Sequence, residues 1–364
     1  MQARLSFVVA SAIAGSLLVG CKKETPASTA PEPAKSAESD PVKALDPDLA
    51  QAVAQASATP KAGSRPGAGA QDGGPPPNGI FPPGAADREA KRGAPPKITL
   101  GSEGATPRQT LSLVPKPGTR VTGKAMVELQ HDPRQGGLPV ELGVVFEAQQ
   151  PKGAGGGGAG AEAAAIPVVV RVTSAKVAIP GAPAELEREV ATLAGARVSY
   201  QIAPNGAGSG YETQLGGRGD ARLGDLLRSF ADSIAVATIP FPDKPVGAGA
   251  YWMVASREGA FGLDLVSYRL VTVEQISAES VTLRVDTKRY SAVPTLELAG
   301  LPADAPRTLV EFQSAGEGKV ELVPGTAFAK RSEQSSLLAA GLGAPGQPRG
   351  MLEIRTRSRI SLGD

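Results

Sequence analysis

Val121-Thr122-Gly123-Lys124-Ala125-Met126-Val127-Glu128-Leu129 sets apolar or small residues at every odd position and polar ones at most even positions. Period-two alternation sends successive side chains to opposite faces of an extended chain, so the stretch reads as a half-buried strand. The pattern returns at Leu142, Val144, Phe146 and Ala148, at Val168, Val170 and Val172, and at Val198, Tyr200 and Ile202. It recurs at Phe261, Leu263 and Leu265, at Val281, Leu283 and Val285, at Val310 with Phe312, and at Val320 with Leu322. The last instance is Leu352, Ile354, Thr356, Ser358, Ile360 and Leu362. Turn signals at Lys116-Pro117-Gly118, Pro204-Asn205-Gly206 and Gly316-Glu317-Gly318 separate these runs. The glycine-alanine tract from Gly153 to Ala161 reads as a solvated loop between two strands.

Two helices interrupt the strands. Residues 184–194 carry Leu186, Val190 and Leu193 at helical spacing. A wider stripe of Leu223, Leu226, Leu227, Phe230 and Ile234 lines residues 221–237, with Asp220 at the N-cap position and Pro240 beyond the end. Such a stripe predicts burial against the sheet; a lid over a lipid cavity is the alternative. The fold expected is mainly β: one curved antiparallel sheet or open half-barrel of roughly ten strands with one or two packed helices. A two-sheet sandwich is the other arrangement the pattern allows.

Upstream the texture changes. From Lys22 to about residue 105 the chain is rich in Pro, Ala, Ser, Gly and charge, which predicts a disordered tether too poor in apolar residues to offset its chain entropy. Ile80 and Phe81 form an apolar island within it, either a docking spot or filler. The organisation predicted is a signal peptide over 1–20, a tether over 21–105 and a β-rich domain over 106–364.

At the start, Arg4 precedes an apolar run from Leu5 to Leu18, and Leu18-Val19-Gly20-Cys21 closes it. The four residues resemble the lipobox of bacterial lipoproteins. The resemblance implies cleavage before Cys21, with Leu18, Val19 and Gly20 read by the signal peptidase, and a diacylglyceryl group on the thiol. It also implies a membrane anchor through that lipid. Lys22 and Lys23, where an Asp commonly marks inner-membrane retention, favour the outer membrane of a two-membrane cell, with the domain in the periplasm.

The central segment Pro240-Phe241-Pro242-Asp243-Lys244-Pro245-Val246-Gly247-Ala248-Gly249-Ala250-Tyr251-Trp252 follows a strand, a Pro-Asn-Gly turn, a strand and a helix. This order resembles a family of bacterial envelope proteins of unknown function, and the resemblance implies no activity. Physically, Trp252 is a large anchor for a core, or else a ligand contact.

Charge and rare residues narrow the function. A formal net charge of +2 over 364 residues is not built around a polyanion, so nucleic acid is not an expected partner. One cysteine and one histidine leave no thiol for a disulfide once Cys21 is lipidated, and no zinc set around His131 and Asp132. Gly118 to Ala125 nearly spells a P-loop, but Ala125 replaces the magnesium-binding hydroxyl and the segment alternates like a strand. Arg218-Gly219-Asp220 reads as a helix start. Asp264 and Asp286 read as solvent-face charges, with a glycosidase pair as the sharper alternative. No cofactor, metal or catalytic residue is called for, and a non-enzymatic role is expected.

Arg355, Arg357 and Arg359 alternate on the final strand and share one face. That face is either a basic stripe for lipid phosphates or an acidic partner, or a solvated face that protects a sheet edge. The function expected is that of a lipid-anchored envelope lipoprotein. Either it binds a lipid or other apolar ligand between sheet and helix, through Leu226, Phe230, Ile234 and Trp252, or its core is filled and it engages envelope protein partners.

Overall fold

The alternating stretch quoted above is strand β2 (Arg120–Gln130), and its odd positions from Ala125 to Leu129 are buried while Lys124, Met126 and Glu128 are not. The computed structural model describes residues 76–131, 136–151, 165–217, 221–296, 307–344 and 347–363. In chain order the elements are α1 (Ala86–Glu89), β1 (Lys97–Ser102), β2, β3 (Leu138–Ala148), β4 (Ile166–Val177), α2 (Ala184–Ala191), β5 (Arg197–Ile202) and β6 (Gly208–Gln214). There follow α3 (Ala221–Ala237), β7 (Tyr251–Ala260), β8 (Leu263–Ile276), β9 (Val281–Ser291), β10 (Leu309–Leu322), β11 (Arg331–Ala344) and β12 (Gln347–Leu362). No described helix is long and apolar enough to cross a membrane.

All twelve strands form one open antiparallel sheet in the order β1-β7-β8-β9-β10-β11-β12-β2-β3-β4-β5-β6. Two meanders, β2–β6 and β7–β12, are joined where β12 pairs with β2, Ile360 opposite Ala125. The link between the meanders is α3. Twelve strands at about 4.8 Å spacing would span about 50 Å if flat. The 17-residue α3 is only about 26 Å long. Yet it packs on β6 at one edge and is hydrogen-bonded to Arg269 of β8 near the other. The sheet therefore wraps around the helix, and its inner face is the one that α3 covers.

Burial on that face drives the assembly. Leu226, Phe230 and Ile234 of α3 join Val127, Leu142, Phe146, Val170, Tyr200 and Ile360 of the sheet in the main core. A second core gathers Val236, Ile239 and Phe241 at the end of the helix with Trp252, Val271, Leu283 and Val320. Each large apolar side chain fully removed from water contributes about 1.5–3 kcal/mol, so these two clusters hold the helix in the curve.

Several expectations need correction. Residues upstream of 106 belong to the β-rich domain, because β1 pairs with β7 (Leu100 opposite Trp252) and an upstream strap docks as well. In the strap, Ile80 forms a parallel bridge to Ser291, while Asn78 O accepts the Phe312 amide at 2.9 Å. The short segment thus fills the gap where β9 and β10 separate. Ile80 enters the main core, and Phe81 packs with Tyr268 and Tyr290 on the outer face. The apolar island is an intramolecular dock, hidden in sequence by the surrounding Pro and Gly.

Gly316-Glu317-Gly318 is not a turn. Both glycines lie inside β10, opposite Ser336 and Gln334, and a Cβ on Gly318 would stand 3.5 Å from the Val236 side chain of α3. Phe261, in turn, belongs to no strand: with φ of 51° it makes the β7–β8 turn with Gly262. Among the described residues there are twelve strands, against the roughly ten expected: β7 and β11 show little alternation, and the short alternation of β1 lies among Pro and Gly.

Candidate functional site

Four charged side chains meet beneath α3. Asp232 projects from the helix, and Glu258, Arg269 and Arg289 come from the inner faces of β7, β8 and β9. Glu258 Oε1 accepts from Arg289 Nε at 2.6 Å and its Oε2 from Arg269 Nη2 at 3.1 Å. Arg289 Nη2 donates to Asp232 Oδ1 at 2.7 Å, and Arg269 Nη1 donates to the Ala235 carbonyl at 2.7 Å. That carbonyl is among the last four of the helix, which lack intrahelical partners and carry the negative end of its dipole. Arg269 therefore caps α3 as well as anchoring it.

The cluster holds two cations and two anions. Burial alone would push the Glu258 carboxyl up, but the charges and hydrogen bonds of Arg289 and Arg269 overcome this and hold it below the usual range. Burial would likewise lower the Arg289 guanidinium, and Asp232 and Glu258 raise it instead. A carboxylate fixed as an anion, with both oxygens engaged, has no proton to donate near neutrality. The arrangement is chemically a clamp, and removing any one member leaves its partner charged and dry.

A further bond reinforces the clamp where Gln334 Nε2 of β11 donates to Ser233 Oγ at 2.8 Å, and Ser233 Oγ in turn donates to the Ser229 carbonyl at 2.8 Å. On the other flank, Tyr200 and Tyr211 stack at 5.0 Å between ring centroids. Burial raises both phenols, Tyr211 to about 12.

One cavity between helix and sheet is small. A cavity of about 20 Å³ lies among Phe146, Tyr200, Ile234, Thr238, Phe328 and Ile360. That volume admits about one water, whereas small-molecule sites run to about 300–1,000 Å³. An apolar ligand of acyl-chain size would have to displace α3.

Leu226, Phe230 and Ile234 lie together, all buried in the main core. Trp252 stands apart from them in the second core. Its Nε1 donates to the Pro240 carbonyl at 3.0 Å, and its ring lies 6.2 Å from that of Phe241. It thereby pins the chain leaving the helix to β7. Arg355, Arg357 and Arg359 do share the outer face, but Arg355 pairs with Glu353 at 2.7 Å and Arg359 with Glu333 at 2.8 Å. With Glu128 opposite Arg357, that face is of mixed charge and not a basic stripe.

Asp264 is gripped by Arg257 and Arg92, and Asp286 pairs with Arg284 at 3.0 Å. Asp286 stands opposite Leu270, far along β8 from Asp264, so the two are no carboxylate pair. His131 Nε2 lies 3.6 Å from Asp225. Among the described residues no three His, Cys, Asp or Glu side chains gather as a metal site would require. Leu18, Val19, Gly20, Cys21, Asp132, the tract 153–161 and Arg218 to Asp220 lie outside the described residues.

The clamp itself escaped the sequence reading. Its signal is a break in parity: Leu263, Leu265, Val271 and Val273 mark the inner face of β8, and Arg269 falls in the same series. Arg289 does so in the series Val281, Leu283, Val285 of β9.

No family model matches the chain, and no curated protein matches it in sequence. Among solved structures, it is similar to lipovitellin, in a structure concerned with lipid–protein interactions there, with a TM-score of 0.40 and 10% identity. The match covers 68% of this chain but only 25% of the lipovitellin chain.

Proposed function

We propose that this chain is a lipid-anchored protein of the bacterial cell envelope, held by a diacylglyceryl group on Cys21. In this reading its β domain keeps a filled interior and acts through its outer surface on envelope partners. The anchor rests on Leu18-Val19-Gly20-Cys21 at the end of the apolar leader. Lys22 and Lys23 favour sorting to the outer membrane, with the domain in the periplasm.

The observation that carries the filled-core reading is the packing of α3. Phe230 and Ile234 are at most 1% exposed, and the cavity beside Ile234 has room for about one water. A carrier would have to expel the helix, breaking Arg289–Asp232, Arg269–Ala235 and Gln334–Ser233 together. A filled module engages its partners from outside.

Native mass spectrometry of the protein extracted from the envelope of a two-membrane host tests both halves. The expected species is the polypeptide from Cys21 onward carrying only covalent acyl groups. Lipid-sized adducts that leave on denaturation would replace the filled-core reading with a carrier. An unmodified Cys21 would remove the anchor.

A further inference from the structure

The docked strap creates a cleft that the sequence does not suggest. A cavity of about 210 Å³ opens between residues 87–97 and the stretch of β7 from Ala255 to Arg257. Pro95 and Pro96 stop β1 there: its ladder ends at Lys97 opposite Ala255, so β7 continues without a neighbour on that side. At the floor, the Arg257 side chain is only 6% exposed, and its Nη1 lies 3.3 Å from both Asp87 Oδ1 and the Ala90 carbonyl.

The charges around this cleft do not balance. Of its two acids, Asp87 is engaged by Arg257, and Glu89 accepts from the Tyr268 hydroxyl at 3.0 Å. Asp264, just behind, already receives both Arg257 and Arg92. Arg88, Lys91 and Lys97 also line the cleft, and none has an ion-pair partner among the described residues. Three cations without ion-pair partners outnumber the one carboxylate, Glu89, that lacks one there, and form a receptor for a compact, multiply charged anion. The outer-face arginines offer no equivalent, since two of the three are spent on Glu353 and Glu333.

We infer that the cleft between the strap and β7 binds a phosphate group, with Arg88, Lys91 and Lys97 as its cationic ligands. Phosphate presents several strong acceptor oxygens, suits hydrogen-bonding cations and fits the volume together with a glycerol-sized substituent. The group can come from an anionic phospholipid headgroup or from a soluble phosphate ester. Neither source depends on lipid at Cys21.

The test uses the full chain carrying Cys21→Ser, alongside the same chain with Arg88→Gln, Lys91→Gln and Lys97→Gln. Each is titrated with inorganic phosphate and glycerol phosphate by calorimetry, and with vesicles of phosphatidylcholine containing or lacking phosphatidylglycerol by co-sedimentation. Because the three side chains are exposed, the variant should keep the parent's melting temperature. The parent should bind at least one source, with affinity falling as salt rises, and the triple variant should bind about tenfold or more weakly. Binding of vesicles alone names the lipid headgroup, and binding of the soluble esters names a free phosphate. No binding of either source, or equal binding by parent and variant, overturns the inference.

Discussion

Arg289 of β9 donates to Asp232 of α3 at 2.7 Å, and its side chain is 3% exposed, so the tie between sheet and helix is a dry ion pair. Glu258 shares the same guanidinium, which makes the three groups one electrostatic unit. Arg289→Met should destabilise the domain by about 3–5 kcal/mol, because it leaves Asp232 and Glu258 buried without their cation. Asp232→Asn should cost less, since Glu258 still pairs with Arg289. Urea unfolding measures both, and a double-mutant cycle between the two positions should give a coupling well above zero.

The same cluster sets an acid limit. Glu258 has its pKa depressed in the folded chain, so the folded state binds its proton less readily than the unfolded state does. Its contribution is fully present above the ordinary glutamate value of about 4.3 and is lost as pH falls through the lower folded value. Asp264, held low by Arg257 and Arg92 against a burial effect that would raise it, acts in the same direction. Stability should be level from neutrality down to about pH 5 and then fall. Urea midpoints measured between pH 7 and pH 3 check this, and a midpoint that rises with acidification would contradict it.

Much of this was legible in the chain and some was not. Alternation marked β2 to β5, β9 and β12, since those strands have one apolar face and one wet one. The α3 stripe predicted its burial because five apolar residues fall on one side. Strand β11 was invisible: its inward residues Ser332, Gln334 and Ser336 are polar where they meet Ser233 of α3 and Thr356 of β12. A strand satisfied by hydroxyls carries no hydrophobic period. The clamp was hidden for a related reason, since pairing of its four charges is set by contacts distant in sequence. The strap, likewise, depends on a gap between β9 and β10 that only the folded sheet creates.

Gly79 supports that strap directly. Its φ is +76°, and a Cβ there would lie 1.8 Å from the Phe312 carbonyl oxygen. Gly79→Ala should therefore free the strap at a cost of about 2 kcal/mol or more, while the rest of the sheet persists. Limited trypsin digestion reads this out at Arg88, Lys91 and Arg92, where cleavage should be much faster than in the parent. An unchanged digestion pattern would mean that the strap is held without the close approach at Gly79.

For the proposed anchor, Cys21→Ser should abolish lipid modification and leave an unprocessed or mislocalised precursor. Metabolic labelling with a fatty acid, followed by membrane fractionation, checks it. Normal processing and membrane retention in the variant would remove the lipoprotein reading.

In the proposed function α3 is a locked part of the core and does not open over the sheet as a lid. Native-state hydrogen exchange on the amides of Leu226 to Ala235 tests it most directly. A locked helix predicts that these amides exchange only with global unfolding, at the free energy found for Val271 and Leu283 in β8 and β9. Exchange of the helix at markedly lower free energy, while the strands stay protected, would show a local opening and contradict the account.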